Sequence, residues 1–236
     1  MSRVAFIMAG GLGTRLHPFT LTIPKPALPI AGTPIIGIVL KQLEKHGFEK
    51  VFISLGYKGY MIKAMIEEEI KPKFEIEYLE DQDFARGTAG ALKLVKTLPN
   101  DILVMNGDIL TDLDFSMLWD FHCNNKNFAT IALAERKIHI DYGVVEVTES
   151  KKLLSFSEKP TITSLVCMGV NIINSSMIDL IPNDISYDMP SLLEKINTYK
   201  EVDCHIHEGY WQDIGRMDDF EKASKDYEED ESKFHS

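Results

Sequence analysis

The chain has 236 residues, of which 44% are hydrophobic and 26% charged, so it can bury a large core and lacks the composition of a disordered or fibrous protein. Its formal net charge of -11 argues against a protein that follows a nucleic-acid backbone through broad positive potential. Three cysteines without metal-ligand spacing, and a first apolar run too short for a membrane span or a signal peptide, predict a cytoplasmic protein.

Short apolar runs alternate with amphipathic segments of helix length in the first half of the chain. In chain order the pattern predicts a strand at 4–8, a helix at 35–46, a strand at 51–55, a helix at 57–70, a strand at 74–79, a helix at 88–98 and a strand at 102–105. Pro34 stands at the entry of the helix at 35–46 and Gly47 follows its end, as helix chemistry favours. This alternation is typical of parallel strands joined by crossover helices.

The second half is less regular. Its pattern predicts strands at 128–134, 143–147, 153–156 and 166–173, and helices at 175–181, 188–199 and 217–227. We therefore expect a single-domain, Rossmann-like, three-layer α/β/α fold with a central mixed, mostly parallel sheet. The domain is expected to cover residues 1–225, and residues 226–236 to form an acidic, solvated C-terminal tail.

A glycine-rich loop directly after the first strand carries the strongest functional signal. It reads Ala9-Gly10-Gly11-Leu12-Gly13-Thr14-Arg15 and is followed by Pro24-Lys25-Pro26. Glycines let backbone amides approach phosphate oxygens, Arg15 supplies a planar fork of donors, and Lys25 supplies a compact charge. The loop lacks the Gly-Lys-Ser/Thr ending of a P-loop, and its glycine spacing departs from the dinucleotide fingerprint. Taken alone, it favours a phosphate site over a tight turn with incidental charges.

These residues resemble the sugar-1-phosphate nucleotidylyltransferases, whose opening motif is G-G-x-G-T-R followed by P-K-P. Further stretches of the same kind follow in order: Gly87-Thr88-Ala89-Gly90-Ala91, Asn106-Gly107-Asp108, Tyr142-Gly143-Val144-Val145, Glu158-Lys159-Pro160, Gly169-Val170-Asn171 and Trp211-Gln212-Asp213-Ile214-Gly215. The resemblance covers nearly the whole chain. It implies a nucleotide-diphospho-sugar transferase fold and a reaction that joins a nucleoside triphosphate to a sugar 1-phosphate and releases pyrophosphate.

The resemblance also implies roles for particular residues. Arg15, Lys25 and Asp108 are expected to be catalytic, and Asp108 and Asp213 to hold Mg2+, a hard ion that prefers one or two carboxylates plus substrate oxygens and water. The residues expected to contact the nucleotide are Ala9, Gly10, Gly11, Gly13, Thr14, Gln82, Gly87 and Thr88. Those expected to contact the sugar phosphate are Gly143, Glu158, Lys159 and Asn171.

Each of these residue types also has a plainer interpretation. An aspartate after a strand is commonly a turn former or a helix cap. Glu158 and Lys159 would ordinarily be an exposed surface pair, and Asn171 a satisfied polar position in a strand. Only the resemblance favours the functional interpretation.

Several alternatives stay open. The stretches around Lys25 and Asp213 look most like guanylyltransferases that act on mannose-like, heptose or amino-sugar phosphates, which favours GTP over UTP or dTTP. A non-catalytic regulatory subunit that binds a nucleotide sugar, or an enzyme with a non-sugar acceptor, would share the opening loop. The expected partners are a nucleoside triphosphate and a sugar 1-phosphate, with no nucleic acid and no membrane, and a homodimer is left open.

Overall fold

The computed structural model describes residues 2–80, 86–183 and 185–235. Its strands, in chain order, are β1 (Arg3–Ala9), β2 (Pro29–Ile30), β3 (Thr33–Pro34), β4 (Phe48–Leu55), β5 (Glu75–Glu80), β6 (Asp101–Asn106), β7 (Ile109–Thr111), β8 (Ala129–His139), β9 (Val144–Val147), β10 (Leu153–Ser157), β11 (Thr161–Asn174), β12 (Asp203–His207) and β13 (Trp211–Asp213). Its α-helices are α1 (Ile35–Lys45), α2 (Gly59–Met65), α3 (Gly87–Gly90), α4 (Phe115–Asn125), α5 (Met189–Tyr199) and α6 (Met217–Glu229).

Seven strands form a central sheet in the order β12-β8-β11-β6-β1-β4-β5. The pairs β12/β8, β6/β1, β1/β4 and β4/β5 are parallel, whereas β11 runs antiparallel to both of its neighbours. The prediction of a mixed, mostly parallel sheet is therefore confirmed. Because the parallel strands β1, β4 and β6 end at the same edge, the loops that follow them meet there.

Both faces of the sheet are covered, which confirms the three-layer architecture. Along β1, Ala5 and Ile7 belong to one buried cluster, and Val4 and Phe6 belong to another on the opposite face. The first cluster includes apolar residues of α1, α2 and α4, and the second includes those of α3 and α5. The period of two along each strand assigns successive side chains to the two layers.

Most predicted elements appear with small shifts at their ends, but the predicted helix at 88–98 is much shorter. It is α3 followed by a single 3-10 turn, Ala91–Leu94, after which Val95 adopts an extended conformation. The backbone carbonyl of Tyr187 accepts hydrogen bonds from the Ala89 and Gly90 amides, both at 3.0 Å. These tertiary bonds hold the turn against the start of α5, which the local pattern does not encode.

The end of the chain is packed rather than free, contrary to the predicted solvated tail. Helix α6 continues to Glu229, past the boundary expected at residue 225, and a 3-10 segment, Glu231–His235, follows. The acidic side chains of this region are exposed, but Phe234 is buried between the rings of Tyr210 and Tyr227, with centroid distances of 5.1 and 5.4 Å. Burial of this aromatic side chain and the Lys233–Asp112 ion pair at 3.6 Å hold the segment against the domain.

One part of the chain projects from the sheet, and we call residues 135–165 the arm. It contains the outer halves of β8 and β11, which stay paired from His139 with Thr161 to Glu135 with Leu165, and the separate hairpin β9–β10. Most of its side chains are exposed. Among the described residues as a whole, no helix is long and apolar enough to cross a membrane.

Candidate active site

Three adjoining cavities open where β1, β4 and β6 end. Their volumes are about 300, 300 and 380 Å³, and Met8 and Asp108 line all three, so they form one continuous crevice. Ligands of open α/β sheets bind outside the carboxyl ends of the strands. The crevice therefore lies where the fold would place a substrate.

The glycine loop lines the second cavity, together with Arg15 and Lys25. Gly13 has φ +62°, and a Cβ there would lie 2.9 Å from Cγ2 of Thr20, so both the backbone conformation and the space require glycine. The buried Thr20 hydroxyl donates to the Gly13 carbonyl at 2.8 Å and fixes the loop. Within the described part of the chain, the amides of Gly11, Leu12 and Gly13 have no hydrogen-bond acceptor. A loop with several free N–H groups facing a cavity is suited to bind an anion.

Lys25 and Asp108 form an ion pair at the floor of the crevice. Lys25 Nζ lies 2.5 Å from Asp108 Oδ2, and the lysine side chain is only 9% exposed. Pro24 and Pro26 flank Lys25, which begins a 3-10 turn after the extended Pro24, so the backbone on either side of the lysine is restrained. The pair places a fixed positive charge next to a carboxylate that faces the cavities.

Asp213 reaches the same place through a small second sheet. Strand β13 pairs antiparallel with β7 so that Asp213 is opposite Ile109, and the Ile214 amide donates to the Asp108 carbonyl at 3.3 Å. Asp213 and Arg15 also converge, because Asp213 Oδ2 and Arg15 Nη1 lie 3.1 and 3.5 Å from the point that a Cβ on Gly215 would occupy. Burial raises the pKa of Asp213; Asp108 raises it further, whereas Lys25 and Arg15 lower it.

The two carboxylates have the chemistry of a site for a hard divalent cation. Asp108 Oδ1 is buried and has no hydrogen-bond partner among the described residues, and a buried anionic oxygen without a partner is costly. No group of three or more His, Cys, Asp or Glu side chains in those residues could hold a metal. A pair of carboxylates fits an ion that completes its shell with water and phosphate oxygens, as Mg2+ does.

Gly87 and Thr88 line the first cavity opposite Gly10 and Gly11. Gly87 has φ +74°, and a Cβ there would lie 2.5 Å from the Tyr187 carbonyl oxygen, so no other residue fits. The Thr88 hydroxyl accepts a hydrogen bond from the Met189 amide at 2.9 Å, which ties the turn to α5. Gln82, the remaining residue expected to contact the nucleotide, lies outside the described residues.

The third cavity contains Asn171, which is 1% exposed, and is also lined by Arg15, Lys25 and Asp213. Asn106 and Trp211 also line it, and both stand in motifs quoted above without an assigned role. Asn106 ends β6 and lines the first and third cavities, and Trp211 donates from Nε1 to the Met168 carbonyl at 2.9 Å. Their places next to Asp108 and Asp213 in the sequence were the signal that could have identified them.

Gly143, Glu158 and Lys159 do not line any of the three cavities, whereas Asn171 lines the third. They lie at the outer part of the arm and are exposed. Asn171 pairs with Val104 and Ile131 inside the sheet, whereas the other three residues belong to the arm. The expected contact of Gly143, Glu158 and Lys159 with the sugar phosphate therefore stays a prediction.

The chain is similar to known proteins over nearly its full length. It matches the Nucleotidyl transferase family over residues 4–230. Mannose-1-phosphate guanylyltransferase of Mycobacterium tuberculosis is 31% identical over 94% of this chain and 64% of its own length, so the chain spans less than two thirds of that relative. D-glycero-alpha-D-manno-heptose 1-phosphate guanylyltransferase of Aneurinibacillus thermoaerophilus is 31% identical over 94% of this chain and 97% of its own.

Solved structures agree with this similarity. The crystal structure of HddC from Yersinia pseudotuberculosis has a TM-score of 0.74 and 26% identity, with 96% of this chain and 100% of that chain covered. The family match over residues 4–230 includes the glycine loop, both aspartates and α6. The chain therefore belongs to the Nucleotidyl transferase family.

Proposed function

We propose that the protein is a sugar-1-phosphate nucleotidylyltransferase, with GTP as the favoured nucleotide and a mannose-like, heptose or amino-sugar 1-phosphate as the acceptor. The observation that carries the proposal is the convergence of Arg15, Lys25, Asp108 and Asp213 in one crevice. The two guanylyltransferase relatives support the choice of nucleotide and of a manno-configured sugar. A UTP- or dTTP-using enzyme is the alternative within the same reaction class.

The three cavities suggest how the substrates are distributed. The nucleoside would lie in the first cavity between Gly10 and Gly87, and the triphosphate would follow the loop into the second, where free amides and Arg15 can bind its oxygens. The sugar 1-phosphate would enter the third cavity beside Asn171. Asp108 lines all three cavities, so the reacting phosphorus would lie close to it.

The chemistry requires little acid–base assistance from the protein. A phosphate monoester has a second pKa of about 6, so the attacking oxygen is already ionised at neutral pH. It would attack the α-phosphorus in line and expel pyrophosphate. The obstacle is the approach of two anions, so positioning and electrostatic stabilisation are expected to supply most of the catalysis.

Each charged residue then has a separate task. Arg15 and the Gly10–Gly13 amides would hold the leaving pyrophosphate, and Lys25 would neutralise negative charge at the reacting phosphates. Asp108 and Asp213 would hold Mg2+, which when bound neutralises and orients phosphate oxygens. In this arrangement Lys25 is kept in place by Asp108 before the substrates arrive, so its charge needs no reorganisation during the reaction.

The test is pyrophosphate release over a grid of triphosphates (GTP, UTP, dTTP, CTP and ATP) and sugar 1-phosphates (mannose, glycero-manno-heptose, N-acetylglucosamine and glucose), with Mg2+ present. We expect the largest kcat/KM for GTP with one of the manno-configured sugars, and no release after chelation of the metal. Preference for UTP or dTTP would select the alternative nucleotide. Nucleotide-sugar binding without pyrophosphate release in any combination would identify a non-catalytic binding protein and refute the proposal.

A further inference from the structure

The turn between β13 and α6 carries Asp213 into the crevice. Among the described residues, the carboxylate of Asp213 accepts no hydrogen bond, so the backbone of the turn sets its position. On one side that backbone pairs with β7, and on the other side it leads into α6. Whatever holds the turn therefore also fixes where the carboxylate lies.

Gln212, the residue before Asp213, holds the turn through its side-chain amide. It is 6% exposed, and its Nε2 donates to the Asp213 carbonyl at 3.1 Å and to Asp219 Oδ1 at 2.9 Å. Lys222 Nζ donates to Gln212 Oε1 at 3.1 Å. Because an ammonium group can only donate, this last bond fixes which end of the amide faces the turn. We call Gln212, Asp219 and Lys222 the Gln212 network.

Asp219 connects the Gln212 network to the start of α6. Its Oδ1 accepts from Gln212, and its Oδ2 accepts from the backbone amide of Arg216 at 3.0 Å. Both partners are donors, and only a carboxylate offers them an acceptor on each side. Asparagine has one acceptor and one donor, so it would meet one of the two partners with an N–H group. Asp219 therefore suits this place for a reason beyond its charge.

Three charged groups meet around Gly215, in the middle of the turn. A Cβ on Gly215 would lie 3.1 Å from Asp213 Oδ2, 3.5 Å from Arg15 Nη1 and 3.7 Å from Asp219 Oδ2. A shift of the turn would thus move Asp213 relative to Arg15 and to Asp108. Mg2+ requires nearly ideal octahedral geometry, and a displacement of about 1 Å in an active site can cost about 100-fold in rate.

We propose that Gln212 and Asp219 are positioning residues, which hold the Asp213 carboxylate where it shares a divalent cation with Asp108. The inference rests on the proposed function for the cation and the reaction, but not for the contacts of the Gln212 network. An acidic residue in the first turn of a helix ordinarily only complements the helix dipole. The bond from Asp219 to a buried glutamine next to Asp213 adds the second task.

Three variants separate positioning from loss of charge. Gln212→Met keeps the length of the side chain and the net charge but removes the three hydrogen bonds of Gln212, and Asp219→Asn mismatches one partner. Each should raise the Mg2+ concentration for half-maximal pyrophosphate release by about 10- to 100-fold. Asp218→Asn is the matched control, because Asp218 is an exposed acidic residue in the same first turn of α6. It should leave the Mg2+ requirement within about twofold.

The double variant of Gln212→Met and Asp219→Asn tests whether the two residues act as one unit. Its Mg2+ requirement should rise no further than that of the more severe single variant, because either change already breaks the Gln212 network. Single effects that multiply in the double variant would show that the residues act separately and would overturn the proposal.

Two measurements do not depend on turnover. Binding of Mn2+ to the protein, followed by electron paramagnetic resonance, should weaken by about 10- to 100-fold in Gln212→Met and in Asp219→Asn. Amide hydrogen exchange in residues 213–216 of the metal-free protein should be faster in both variants than in wild type. Exchange in α1 should stay unchanged, which shows that the variants are folded.

The outcomes distinguish a positioning role from a structural one. Faster exchange with unchanged Mn2+ binding and an unchanged Mg2+ requirement would make the Gln212 network merely structural and overturn the proposal. Asp218→Asn with the same effect as Asp219→Asn would assign the result to charge and overturn it too. Wild-type protein that binds Mn2+ but releases no pyrophosphate would refute the proposed function alone, because Mn2+ binding by the variants still decides whether Asp213 is positioned in this way.

Discussion

Substitution of Asp108 by asparagine separates catalysis from stability. Asparagine keeps the shape of the aspartate side chain and one acceptor oxygen for the Lys25 ammonium. In the native protein, Lys25 Nζ lies 2.5 Å from Asp108 Oδ2. Because a neutral acceptor replaces a charged one, the hydrogen bond to Lys25 contributes about 1 kcal/mol less to the free energy of unfolding. Removal of the repulsion between Asp108 and Asp213 offsets part of this cost. We therefore expect the free energy of unfolding to change by no more than about 1 kcal/mol.

The effect on turnover should be much larger. Asp108 carries the buried, unpartnered Oδ1 and lines all three cavities. Asparagine would hold Mg2+ less well, and loss of the positive charge that stabilises the reacting phosphates typically costs about 100- to 1,000-fold in kcat, or about 2.7–4 kcal/mol of transition-state stabilisation. Pyrophosphate release measures kcat, and urea unfolding measures stability on the same preparation.

Asp112→Asn is the matched control. Asp112 Oδ1 accepts a hydrogen bond from the Tyr210 amide at 2.6 Å and pairs with His207 Nε2 at 2.8 Å, and the Lys233 ammonium lies 3.6 Å from Oδ2. These contacts hold the C-terminal region and do not line the crevice. Asp112→Asn should therefore lower the free energy of unfolding by about 1–3 kcal/mol and leave kcat within a few fold. Asp108→Asn with most of its turnover retained, or with a stability loss as large as that of Asp112→Asn, would refute the reasoning.

Three further predictions address phosphate binding, pH and packing. Arg15→Lys keeps the charge but loses the planar fork, so KM for the triphosphate should rise about 10- to 100-fold in initial-rate assays; an unchanged KM would exclude Arg15 as a phosphate ligand. Burial lowers the pKa of His46 and of His122, so the unfolded chain takes up protons near pH 6.5 before the folded one does. The contribution of the two histidines to stability is then fully present above about pH 6.5. It falls as the pH decreases toward the lowered pKa values, by up to about 1.4 kcal/mol per pH unit for each histidine. Urea midpoints at pH 7.5 and 5.5 measure this loss, and a His46→Gln variant should show a weaker pH dependence. Phe234→Ala should lower the free energy of unfolding in urea by about 3–4 kcal/mol because the side chain is 1% exposed. Tyr199→Ala, at a site 67% exposed, should lower it by less than about 0.5 kcal/mol. Equal losses would show that the C-terminal segment does not pack as described.

The sequence by itself determined the framework of the fold and the position of the glycine-rich loop. Apolar runs of strand length alternate with amphipathic segments, and this pattern specifies parallel strands and covering helices. A wholly apolar strand must be covered on both faces, and each amphipathic helix can supply one apolar face to cover it. The roles expected for the aspartates rest on the family resemblance, whereas the glycine-rich loop and the prolines around Lys25 favour a phosphate site locally. These features depend on neighbours in the chain, so they can be predicted from it.

Only the tertiary structure decided which of these residues meet. The pairing of β7 with β13 brings Asp213 to Asp108, and no local pattern encodes the register of two three-residue strands distant in the chain. The same limit applies to Phe234, whose burial depends on Tyr210 and Tyr227. Contacts between distant segments depend on the geometry of the whole sheet, and that geometry is fixed only when the core has formed.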